Sequence, residues 1–194
     1  MEDFIDAMHA IAKTIAADAP VLVGTQGVRR MLDVGGGPAT FAIAFAQANS
    51  ELQAQVLDLG PVLPIAQRHI REAGLEDRVT VREGDLRSVD LGQGYDLVLV
   101  SAICHMLDEA ENQNLLNRCA NALRPGGRVA IREFILDPDR AGPPHAALFA
   151  LNMLVNTARG NTYTEAEYRS WLEEAGFSQI TRPEPTGDWI IAKL

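Results

Sequence analysis

Three consecutive glycines, Gly35, Gly36 and Gly37, follow the apolar run RMLDV and precede a second apolar run, ATFAIAFAQA. Glycine lets a chain turn sharply and lets a ligand approach the backbone without a Cβ in the way. Asp58, with Leu59 after it, closes the next apolar run about 20 residues beyond, where a carboxylate grips ribose hydroxyls. Asp85, followed by Leu86, closes the run after that and is placed to reach an adenine amino group. A glycine turn alone is weak evidence. With two carboxylates at the ends of successive runs, it points to an adenosine-bearing ligand. A nicotinamide dinucleotide fingerprint would need glycine at position 40, where Thr40 stands, and no Gly-Lys-Ser/Thr follows to make a P-loop.

Other residues with chemical potential lie farther along. His105 stands just past the run YDLVLVSAI, and Glu133 near the end of RVAIRE. Read alone, a loop histidine is more often ordinary than catalytic. His69 on a polar helix face, and His9 and His145 near helix ends, read as surface or packing residues. Asp33 reads as a cap of the glycine turn. Met8, Phe149, Asn152 and Met153 fit the wall of a pocket for a flat ligand, methionine being adaptable, or plain core at helical spacing. Trp171 and Trp189 read as packing residues.

The chain has 194 residues, 47% of them hydrophobic, which suits a single domain with one sizeable core. Its net charge of −9 would repel DNA or RNA, so nucleic acid is excluded as a partner. Cys104 and Cys119 share no metal-ligand spacing and read as reduced, buried thiols, suited to the cytoplasm. The first 20 residues are not a signal peptide, and no apolar run reaches membrane-spanning length.

The elements that must position these residues alternate. Apolar residues at helical spacing predict an amphipathic helix over residues 3–17, ended by Pro20. Strands are expected at RMLDV, QAQVLDL, RVTVREGD, YDLVLVSAI and PGGRVAIREFIL, with helices between them. Two further helices, PPHAALFALNMLVNTA and TEAEYRSWLEEAG, follow the fifth strand. The end, FSQITRPEPTGDWIIAKL, reads as an antiparallel hairpin around a Pro/Gly turn. Strand and helix in alternation mean a parallel sheet covered on both faces.

LDVGGGPAT resembles the first motif of class I S-adenosylmethionine-dependent methyltransferases, with Ala39 where a third spaced glycine is usual. The resemblance covers nearly the whole chain and narrows to the small-molecule O-methyltransferases of the caffeate and hydroxyindole type. VLDLGPVLPIAQR and EGDL are similar to the family's ribose and adenine motifs, and SAICHMLDEAENQNLLNRCANALRPGGRVAIREFIL to its most characteristic stretch. The implied fold is α/β: one Rossmann-like domain over residues 1–194, with a mostly parallel seven-stranded sheet and a C-terminal antiparallel hairpin.

The resemblance also implies the roles. S-adenosylmethionine, leaving as S-adenosylhomocysteine, would bind Gly35, Gly36, Gly37, Asp58, Leu59, Asp85, Leu86 and Ser101. His105 would deprotonate the hydroxyl of a small, aromatic or polyketide-like acceptor, oriented by Glu133 across neighbouring strands about 4.8 Å apart. Methyl transfer needs no covalent enzyme intermediate, so Cys104 reads as wall, and no catalytic metal is expected. Thr162 stands where plant relatives carry a second glutamate, and Met106 where an aspartate is common. Relatives usually begin with a winged-helix dimerisation domain, whereas residues 1–20 here resemble the helix after it. A homodimer is possible on that resemblance, and the apolar stripe of this helix is expected to be sticky. A non-catalytic cofactor-binding module, or an N- or C-methyltransferase, is the alternative.

Overall fold

The computed structural model describes residues 2–183 and 187–194. In chain order its elements are α1 (Glu2–Val23), β1 (Arg30–Val34), α2 (Thr40–Ala48), β2 (Gln53–Asp58), α3 (Leu63–Glu72), β3 (Val79–Glu83) and β4 (Tyr95–Ser101). There follow α4 (Glu109–Ala122), β5 (Leu123–Arg132), β6 (Ile135–Leu136), α5 (Pro144–Asn156), β7 (Tyr163–Thr164), α6 (Glu165–Glu174), β8 (Ser178–Thr181) and β9 (Trp189–Lys193). Seven strands form one sheet in the order β3-β2-β1-β4-β5-β9-β8. β1, β2 and β3 pair in parallel, and β9 is antiparallel to both β5 and β8. The fold is therefore α/β with a mostly parallel sheet and a C-terminal antiparallel hairpin. The turn expected in that hairpin lies partly at residues 184–186, outside the described residues.

The chain divides into two compact units, Met1–Leu99 and Val100–Leu194. In the first, Met31, Leu32 and Val34 of β1 and Val56 and Leu57 of β2 are buried. Apolar residues pointing to both sides of a strand are what a sheet covered on two faces demands. α1 packs on α2 and α3.

α1 does not end before Pro20, as the sequence suggested, but runs through it to Val23. Proline removes one backbone bond and crowds the carbonyl four residues back. Ala16, Ala19 and Pro20 are all buried, and this packing carries the helix past the lost bond. Gly24, at φ 80°, stops it, its N–H reaching the Pro20 carbonyl at 3.1 Å.

In the second unit α4 packs on α6, and α5 on the short turn Cys104–Met106. The run expected as one fifth strand is split: β5 ends at Arg132, and Ile135–Leu136 form β6, paired in parallel with β7 in a separate small sheet. Glu133 and Phe134 occupy the break. The widest apolar exposure lies on α5, where Leu148, Leu151, Leu154 and Val155 are each at least 60% exposed. Among the described residues, no helix is long and apolar enough to cross a membrane.

Candidate active site

The first unit builds its loop from backbone. After β1 the chain passes through left-handed conformations at Gly35 (φ 65°), Gly37 (φ 54°) and Ala39 (φ 65°). Glycine adopts these freely, while alanine at Ala39 bears a cost of roughly 1–2 kcal/mol. Asp58 then clasps the loop. Its Oδ2 accepts the Gly37 N–H at 2.7 Å and its Oδ1 the Leu59 N–H at 2.7 Å. The carboxylate thus keeps lone pairs for a further donor. A Cβ placed on Gly37 would meet nothing within 4 Å, so the space over that glycine is open. Asp85 is exposed and its Oδ1 accepts the Arg87 N–H at 2.8 Å, a turn that presents the carboxylate outward. Leu59 is exposed and Leu86 half-buried.

Asp33 does not cap the glycine turn. It is 1% exposed, and neither carboxyl oxygen has a hydrogen-bond partner. It lies under the loop instead: a Cβ on Gly36 would stand 2.6 Å from its Cγ and 2.9 Å from Val56 Cγ1. Burial pushes its pKa up to about 7, the Ala42 amide offsets part of this, and the charge of Asp58 adds to it.

Elsewhere in this unit, His9 stacks on His69 at 3.9 Å between ring centroids and bonds Thr40 Oγ1 through Nδ1 at 2.8 Å. His69 reaches Asp6 at 3.0 Å, so the two histidines pin α1 to its neighbours, a packing role. A cavity of about 300 Å³ beside them is lined by His9, Lys13, Thr40, Ile43, Gln47 and His69 among others, and by none of the expected cofactor residues. Met8 is 37% exposed on α1.

The second unit builds from side chains. β4 leads through Ser101 into Ala102, whose φ of 57° turns the chain into Cys104–Met106. His105 is buried, and its Nδ1 lies 2.8 Å from Glu133 Oε2. Glu133, 2% exposed, also accepts the N–H of His105 at 3.4 Å and of Phe134 at 3.3 Å. A carboxylate so placed accepts a hydrogen bond from the Nδ1–H and leaves Nε2 as the basic nitrogen. The ring of Phe149 meets His105 edge to face at 4.9 Å and stacks on Phe134 at 4.0 Å.

Several residues that hold this turn gave no sign in the sequence. Asn112, fully buried, donates to the carbonyls of Cys104 (3.0 Å) and Leu107 (3.3 Å). Tyr163 donates its hydroxyl to the Leu107 carbonyl at 2.6 Å, and the Asn161 N–H reaches the His105 carbonyl at 3.0 Å. Gly160 is glycine because a Cβ there would collide with that same carbonyl. Phe134, beside Glu133, gave no sign either.

Of the expected wall residues, Phe149 touches His105 and Met153 is buried. Asn152 is exposed, its side chain bonded to Asn156 at 2.5 Å. Thr162 is buried and donates to the Ala146 carbonyl at 3.2 Å. Burial, followed by the charge of Glu133, drives the Cys104 pKa well up, which keeps the thiol protonated. Among the described residues, no group of three or more His, Cys, Asp or Glu is placed to hold a metal ion.

The O-methyltransferase domain family matches residues 1–178, and the chain belongs to that family. It is 38% identical over 179 residues to 3-hydroxy-5-methyl-1-naphthoate 3-O-methyltransferase of Streptomyces sahachiroi, covering 92% of this chain and 52% of that one. It is 38% identical over 156 residues to L-tyrosine C(3)-methyltransferase of Streptomyces lavendulae, covering 80% and 43%. Human N-acetylserotonin methyltransferase, solved in complex with SAM, superposes with a TM-score of 0.88 at 26% identity, over 99% of this chain and 55% of that one. The chain spans about half the length of these curated relatives.

Proposed function

We propose that residues 1–194 act as one catalytic domain that moves a methyl group from S-adenosylmethionine to a hydroxyl of a small aromatic or polyketide-like molecule. The observation that carries this is the buried pair His105 Nδ1 and Glu133 Oε2 at 2.8 Å. The names of the relatives support it, above all the naphthoate 3-O-methyltransferase.

The cofactor, when bound, supplies an already activated methyl group, so the protein need only align the acceptor and remove a proton. Gly35, Gly36 and Gly37 would bring backbone close to it, Asp58 would take ribose hydroxyls, and Asp85 the adenine amino group. Leu59, Leu86 and Ser101 complete the proposed set. A phenol ionises near pKa ~10, so at neutral pH it loses its proton as the methyl arrives. His105 Nε2 would accept that proton, while Glu133 fixes the tautomer and stabilises the imidazolium. Met8, Phe149, Asn152 and Met153 are retained as acceptor contacts.

The L-tyrosine C(3)-methyltransferase likeness favours a second reading, transfer to carbon on the same scaffold. A soluble cytoplasmic protein and a homodimer belong to the same proposal. The test is a panel of phenols, hydroxyindoles and hydroxynaphthoates with labelled cofactor, products read by mass spectrometry. An O-methyl product lost in His105→Gln supports the reading. Cofactor binding with no methylated product from any acceptor would favour a binding module instead.

A further inference from the structure

Among the described residues, Asp33 is a buried acid whose two carboxyl oxygens find no hydrogen-bond partner within normal geometry. Its carboxyl is 1% exposed, both oxygens lack a partner, and the loop above leaves it so little room that Gly36 must be glycine. Its surroundings offer no cation. From β2 it is faced by Asp58, itself an acid, and α2 offers the Ala42 amide but no titratable side chain over Thr40–Ala48. β4 carries Asp96, already engaged by the Arg29 and Arg30 N–H groups at 2.6 and 2.8 Å. β1 itself has Arg30 at its opposite end, bonded to the Gln93 carbonyl at 3.3 Å. A carboxyl in such a place holds its proton until a positive charge comes near.

We propose that Asp33 is coupled to the charge of the cofactor: neutral under the free glycine loop, it releases its proton to solvent when a sulfonium-bearing adenosyl compound binds above it. This rests on the cofactor reading given above. The product of methyl transfer carries no charge on sulfur, so it drives this proton release less. Asp33 is thus a positioning residue that favours the charged donor over the spent product, increasingly so as pH rises. Nothing but a proton changes hands, between the carboxyl and the buffer.

The test is titration calorimetry of the full chain with S-adenosylmethionine and with S-adenosylhomocysteine, in two buffers of different ionisation enthalpy, between about pH 6 and 8. Expected are a fractional proton released with the donor and a smaller one with the product. The donor-to-product affinity ratio should rise with pH, by at most about tenfold per unit for one proton. In Asp33→Asn the ratio should be flat. Equal proton release with both compounds, a flat ratio in the wild type, or an unchanged slope in Asp33→Asn would each overturn the coupling. The wild-type proton count needs no variant to fold. Binding of neither compound would overturn the cofactor reading as well, whereas binding without proton release removes only this inference.

Discussion

In Met1–Leu99 the residues of interest are held by main chain, and in Val100–Leu194 by buried side chains. The glycine loop is a series of left-handed turns in which the Gly35 and Gly36 N–H groups reach the Leu57 carbonyl and the Gly37 N–H reaches the Asp58 carboxylate. The His105 turn is instead braced from three directions by Glu133, Asn112 and Tyr163, each bonded to a specific atom of residues 104–107. The difference follows from the tasks. A loop that is to embrace a ligand must keep the space over it open, as it is over Gly37. A base must keep one ring nitrogen in one orientation, which side chains do best.

The comparison breaks first, if it breaks, at the base. His105→Gln should cut turnover by roughly 10²–10⁴ and leave S-adenosylhomocysteine affinity unchanged. Steady-state rates beside calorimetry decide this, and turnover near wild type at neutral pH would place the base elsewhere. Raising pH should partly rescue the variant as the acceptor ionises by itself.

Asp33→Asn reads the price of the backbone solution. The folded carboxyl holds its proton up to about pH 7, whereas the unfolded one lets go near its ordinary value of 3.8. Across that window the folded state binds more protons, so stability falls as pH rises and the loss is complete above the folded value. Asp33→Asn should match the wild type only below about pH 4, gain on it as pH rises toward 7, and exceed it at pH 8 by up to roughly 4 kcal/mol. Denaturant midpoints at the two pH values check it, and a constant difference would mean Asp33 does not titrate in this range.

Asp58→Ala should weaken cofactor binding by about 1.5–3 kcal/mol, the worth of hydrogen bonds to a charged group. The loss would combine the proposed ribose contact with the slackened Gly37 amide, and unchanged affinity in calorimetry would dismiss both. The smallest effect is expected from Tyr163→Phe. It deletes the bond to the Leu107 carbonyl and should cost about 1 kcal/mol of stability. Because Asn112 also holds that carbonyl, turnover should fall only a few-fold, and a collapse of activity would show the bracing to be a single chain of contacts.

Much of this was legible in the sequence because it is periodic. Strands, helices and the order of glycine loop, Asp58 and Asp85 follow from apolar spacing and chemical type, whereas His105 and Glu133 were marked only by the family resemblance. What stayed hidden depends on contacts distant in the chain. Pro20 reads as a helix stop, and only the burial of Ala16 and Ala19 carries α1 past it. PGGRVAIREFIL reads as one strand, yet Ile135 and Leu136 find a partner in Tyr163 and Thr164. Asn112 looks like any surface asparagine of α4 until its amide is seen between two carbonyls. Asp33 looks like a turn cap because nothing local says that its oxygens face a closed space.

Ala102 sets a limit on how this protein can vary. With φ at 57° between β4 and the His105 turn, it occupies a backbone region that β-branched side chains avoid. Exchange for glycine, asparagine or aspartate keeps the turn within reach, while valine, isoleucine or threonine would swing the following residues off course. In a library saturating this position, the survivors should therefore sort by backbone preference and not by size or polarity. Such a spectrum would mark the turn ahead of His105 as a geometric requirement that drift cannot relax.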